Sequence, residues 1–105
     1  MQIGFILTKS PSEQGFQTFM DFAQLHVGND NISLYLVGNG VYSASKNCQN
    51  PDLESIFKNS KVYVYDNDIK ARGIEGQIKD GINVFEQYDY LVRDVMENFD
   101  QVVSF

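Results

Sequence analysis

Strands alternating with helices along the chain predict an α/β fold: one three-layer α/β/α domain, residues 1–105, on a mostly parallel five-stranded sheet. Three observations predict it. Short apolar runs recur at Ile3–Thr8, Ile32–Val37, Lys61–Tyr65, Ile82–Phe85 and Gln101–Phe105. Helix start signals and helical apolar spacing fill the intervals between them. Val62-Tyr63-Val64-Tyr65 contains no polar interruption, which suits a strand buried on both faces of a parallel sheet.

The elements follow in order. Ser10-Pro11-Ser12-Glu13 after the first strand reads as a capping box with proline at the first helical position. Phe16, Phe19, Met20, Ala23 and Val27 then give one apolar helix face, ending near Gly28-Asn29-Asp30-Asn31. Gly38-Asn39-Gly40 breaks the second strand. Val41, Tyr42 and Ala44 suit a helical turn, and Ser45–Asn50 an exposed loop. Asn50-Pro51 repeats the start signal, with Leu53, Ile56 and Phe57 as the buried face of a short helix. After the third strand Asp66 is placed to cap a helix holding Ile69, Lys70, Ala71 and Arg72, which Gly73 would end in a left-handed conformation. Glu75–Gly81 reads as a loop. Tyr88, Leu91, Val92, Val95 and Met96 space out as a last amphipathic helix. Strand order is not readable from these patterns.

Composition narrows the function classes. A 43% hydrophobic fraction over 105 residues supports one folded core, and no apolar run approaches the ~18 residues of a membrane span. Met1-Gln2-Ile3-Gly4-Phe5 lacks a basic n-region and leads straight into a strand. With a single cysteine, that points to a reducing cytoplasm without an internal disulfide. Fourteen acids against eight bases give a net charge of −6, whereas a chain that grips nucleic acid alone shows a basic face.

The carboxyl edge of a parallel sheet is where ligands and partners are usually handled. Asp68, Arg72 and Gly73 after the third strand, with Gly38, Asn39, Gly40 and Tyr42 after the second, are therefore the candidate functional or subunit-contact residues. Arg72 could offset its helix dipole, pair across an interface, or hold an anion. Cys48, in Ser45-Lys46-Asn47-Cys48-Gln49-Asn50, is either a dispensable loop residue or a persulfide carrier, with Lys46 as its electrostatic helper. His26 reads as a surface residue. One Cys and one His do not make a zinc site, and Asp66-Asn67-Asp68 is too short for a calcium loop, so no metal is expected. Gly38-Asn39-Gly40 is a fragment of a dinucleotide fingerprint and suits a tight turn better than a cofactor, of which none is expected. Tyr63, Tyr65, Tyr88 and Tyr90 suit core packing or a subunit contact.

Taken together, Thr8-Lys9-Ser10-Pro11, Gly38-Asn39-Gly40-Val41-Tyr42, Val62-Tyr63-Val64-Tyr65 and Asp68-Ile69-Lys70-Ala71-Arg72-Gly73-Ile74 with Gly76-Gln77-Ile78 resemble the TusB/DsrH family. Tyr88-Asp89, Leu91-Val92 and the aromatic Phe105 extend the likeness over nearly the whole chain. Asn39 stands where members usually carry Asp, and Phe105 where many carry Trp. The resemblance implies a subunit of a sulfur-relay complex, packing with DsrE/TusD-like and DsrF/TusC-like subunits. Such complexes pass persulfide sulfur toward tRNA 2-thiouridine or within sulfur oxidation. It also implies a catalytic cysteine shortly after the third strand in DsrE-like subunits, where this chain has Tyr65, Asp66 and Asn67. Some DsrH-type members carry one in the first helix, where Phe19 and Met20 stand here. Neither position holds a cysteine, so a non-catalytic assembly subunit is expected. The alternatives are a sulfur carrier through Cys48, or a homo-oligomeric module binding a small anion.

Overall fold

The computed structural model describes residues 1–105. Five strands, β1 (Gln2–Leu7), β2 (Asn31–Leu36), β3 (Ser60–Tyr65), β4 (Asn83–Phe85) and β5 (Gln101–Ser104), form one sheet in the order β4-β3-β2-β1-β5. All four pairings are parallel. Successive strands add on one side of β1 until the crossover from β4 carries β5 to the other. The helices are α1 (Phe16–His26), α2 (Pro51–Lys58), α3 (Asp66–Ala71) and α4 (Tyr88–Glu97), with 3-10 segments at Gly38–Ala44 and Glu75–Gln77.

Side chains alternate across the strands and build two unequal cores. On one face Ile3, Phe5 and Leu7 of β1, Ile32, Leu34 and Leu36 of β2, and Val62 and Val64 of β3 meet Phe16, Phe19, Met20 and Ala23 of α1 and Leu53 and Ile56 of α2. The other face carries Tyr35, Val37 and Phe85 under Leu91 of α4, with half-buried Tyr63, Tyr65, Val95 and Phe99 around them. Tyr63 stacks on Tyr35 at 4.8 Å between ring centroids, and Tyr65 on Phe85 at 5.2 Å. Core packing therefore accounts for both tyrosines. β3 is not sealed on both faces as expected: its valines are buried, but its tyrosines stay half-open because α4 alone covers that side.

Other local expectations also give way. Ser10–Glu13 does not start α1, which begins at Phe16 after a left-handed Gly15. The Glu13 carboxylate does accept the Ser10 N–H at 2.5 Å, but the Ser10 hydroxyl pairs with Ser12 rather than with a helix donor. Asp66 does not cap α3; it lies within the first turn and pairs with Lys70 at 2.9 Å. Ile78 is not plain loop, since it bridges to Ser45. The Asn50 signal holds: its side chain accepts from the Asp52 and Leu53 N–H groups, with Pro51 opening α2. In α4 the apolar face is only half buried, for Leu91 is 2% exposed while Tyr88, Val92 and Met96 are exposed. No helix is long and apolar enough to cross a membrane.

Candidate functional site

The carboxyl ends of β1, β2 and β3 deliver three segments to one corner: Thr8–Glu13, Gly38–Ala44, and α3 with the turn after it. Gly40 allows this approach. A Cβ on Gly40 would stand 2.1 Å from the Leu7 carbonyl oxygen, so only glycine lets the 3-10 segment cross the end of β1. Gly73, at φ 66°, closes α3 as expected, with the Ile74 N–H returning to the Ile69 carbonyl.

That geometry joins most of the candidate residues into one network. The Gly38 N–H donates to the Asp68 carboxylate at 2.8 Å, so Asp68, not Asp66, ties α3 to the 3-10 segment after β2. Arg72 spreads its fork over Asn39 Oδ1, from Nε at 3.2 Å and from Nη2 at 2.9 Å. Its Nη1 donates to the Asp68 carbonyl at 3.2 Å and reaches the Asp68 carboxylate at 3.5 Å. The Asn39 amide then donates to Glu13 Oε1 at 3.3 Å. The Arg72 guanidinium also lies over the Tyr42 ring, 5.8 Å from its centroid. Glu13 was legible only as a cap residue; its part in the network depends on a contact 26 positions away.

The electrostatics follow from these contacts. The Ser10 backbone N–H, opposed by partial desolvation and helped by Asn39, holds the Glu13 carboxyl below its ordinary range. Arg72 spends four hydrogen bonds inside the chain. Its fork faces Asn39 and Asp68 and not an open anion pocket.

Cys48 sits beside this network on a cleft of about 510 Å³, whose walls include Ser10, Pro11, Tyr42, Ile74 and Gln77. The exposed-loop expectation is corrected here: Cys48 is half-buried and packs against the main core. Burial pushes its thiol up; Lys79 pulls it down and Glu54 adds to the rise, leaving it above an ordinary cysteine. The basic group felt by the thiol is therefore Lys79, not Lys46. Lys79 is 12% exposed and held by Glu54 at 2.6 Å and the Ser43 carbonyl at 3.3 Å. Nothing near Cys48 in sequence signals it. His26 lies at the opposite, amino edge of the sheet, bonded to Asp30 at 2.9 Å, and is no base for Cys48. The positions after β3 and within α1 are occupied by Tyr65, Asp66, Asn67, Phe19 and Met20.

Comparison with known proteins agrees with this architecture. A family model described as DsrH like protein matches residues 9–101. No curated protein matches the chain. MTH1491 from Methanobacterium thermoautotrophicum, a protein of unknown function, superposes with a TM-score of 0.81 at 14% identity, covering 99% of this chain and 98% of that one. The ychN protein from E. coli superposes with a TM-score of 0.71 at 16% identity over all of both chains. These two likenesses establish the shared fold. With the family match spanning all but the two ends, the chain belongs to the DsrH-like family, a family of sulfur-relay subunits.

Proposed function

We propose that this chain is a non-catalytic subunit of a persulfide relay, assembling with cysteine-bearing DsrE/TusD-like and DsrF/TusC-like subunits in the cytoplasm and shaping a partner's thiol site. One observation carries the reading: the end of β3, where DsrE-like subunits would carry their reactive cysteine, presents Tyr65, Asp66 and Asn67. The only thiol is half-buried and pushed up, so its thiolate fraction at neutral pH falls below that of an ordinary cysteine. The carboxyl-edge network of Asp68, Arg72 and Asn39 serves in this reading as a rigid platform and not as a nucleophile site. A net charge of −6 assigns any tRNA contact to the partners. The sulfur acceptor is the tRNA uridine that becomes 2-thiouridine, or a sulfur-oxidation intermediate.

Co-expression with both kinds of cysteine-bearing subunit tests assembly, and intact mass after exposure to a persulfide donor tests chemistry. The expected result is one stable complex in which a partner gains sulfur and this chain does not. A chain that stays apart at micromolar concentration overturns the assembly. A gain of one sulfur by the wild type, absent in Cys48→Ser, makes Cys48 the carrier instead. Assaying the complex for tRNA thiolation separates the two acceptors.

A further inference from the structure

The apolar arc of α4 is wider than the fold uses. Leu91 is 2% exposed and Val95 half-buried against the sheet, yet Tyr88, Val92 and Met96, spaced i, i+4 and i+8, are 48%, 43% and 80% exposed. Residues at that spacing form one stripe along a helix. This stripe runs the full length of α4 on the thinly covered side of the sheet. The exposed apolar residues of α1 differ. That helix has two such residues, Phe22, which meets His26 and Phe105, and Leu25, whereas α4 has three in one row, of which only Tyr88 has an aromatic partner, Tyr65, edge-on at 5.4 Å between centroids. A row of three exposed apolar residues along one helix is a candidate contact surface.

Charge selects the occupant. Asp89, Arg93 and Glu97 run beside the stripe, and the exposed charged residues between positions 86 and 100 are Glu86, Asp89, Glu97 and Asp100 against Arg93. A second copy would set the same four carboxylates and single guanidinium against themselves, a net acidic surface against its equal. We infer that the Tyr88–Val92–Met96 stripe docks a heterologous subunit presenting an apolar face bordered by lysines or arginines. Apolar burial supplies the affinity, and the acidic border steers the approach and disfavours self-pairing. This rests on the assembly reading above and names the surface it uses.

The test compares wild-type chain, the Val92→Glu/Met96→Glu double variant, and Leu25→Glu as a control at an exposed apolar position away from the stripe. Each is co-expressed with the cysteine-bearing subunits, and folding is checked by circular dichroism and thermal melting. The expected result is assembly of the wild type and Leu25→Glu, with the double variant weakened roughly tenfold or more. Wild-type binding should also weaken with salt. A double variant that assembles as well as the wild type overturns the surface and leaves the assembly reading standing. A wild type that fails to assemble overturns both. A homodimer of the isolated chain that the double variant abolishes overturns the choice of occupant. Should the double variant not fold, Val92→Ser, a milder change at an exposed position, gives the same comparison.

Discussion

Gly40 is the residue at which the site is most easily disturbed. An added methyl would approach the Leu7 carbonyl oxygen to 2.1 Å and its carbonyl carbon to 2.8 Å, both backbone atoms that cannot swing aside. Gly40→Ala is expected to lower stability by about 1–3 kcal/mol or more, as overpacking does. It should also displace Asn39, and with it the Arg72 fork. Gly76→Ala, with nothing within 4 Å of the new methyl, should stay within about 0.5 kcal/mol of wild type. Urea unfolding of both variants decides the matter, and equal losses would rule out crowding as the cause. Gly38-Asn39-Gly40 was legible as a turn because glycine punctuates chains locally. Its reach to Glu13 and Arg72 was not, since those contacts span 26 and 33 positions. Asp66 and Asp68 illustrate the same limit. Both suit a helix start, and only the neighbouring 3-10 segment determines which one receives the Gly38 N–H.

At the scale of elements, two similar start signals had different fates. Asn50 accepts from Asp52 at 3.0 Å and Leu53 at 3.3 Å, which satisfies two of the donors that open α2. Ser10 precedes no helix: its carbonyl accepts from the Glu13 N–H in a turn, and α1 waits until Phe16. Asn50→Ala should therefore cost about 1 kcal/mol, while Ser10→Ala, which removes a hydroxyl pair with Ser12 and a side-chain interaction with Glu13 but satisfies no helix donor, should cost less. Thermal melts of the two variants test this, and a larger loss at Ser10 would mean that it stabilises α1 after all. The apolar positions of α4 were legible from their period. Which of them face the sheet was not, because the period fixes an arc and not its rotation. Tyr90 and Asp94 turn that rotation toward Tyr35, and the arc is left half outside.

For the whole molecule, the parallel α/β class followed from alternation, but the order β4-β3-β2-β1-β5 did not. Backbone ladders are nearly indifferent to side chains, so nothing local tells β5 to pair with β1. The crossover through α4 makes that choice, and the Tyr35 hydroxyl of the central strand secures it by donating to Asp94 of α4. Tyr35 is fully buried beneath this helix. Desolvation, then the hydrogen bond to Asp94 and its charge, push the Tyr35 phenol far above its ordinary value of 10.0. Desolvation and the hydrogen bond with Tyr90 push Tyr63 up to about 12. The folded state thus keeps both protons after the unfolded chain has begun to lose them. Their contribution to stability is complete below pH 10 and declines as pH rises through about 12 for Tyr63, and beyond that for Tyr35. Alkaline unfolding should steepen above pH 10, with the Tyr35 part of the tyrosinate absorbance appearing only as the chain unfolds. Tyr35→Phe should lower neutral-pH stability by about 1 kcal/mol through the lost hydrogen bond and make the alkaline slope shallower. If the variant and the wild type lose stability in parallel above pH 10, the buried phenol does not couple α4 to the sheet, and the crossover is held by apolar packing alone.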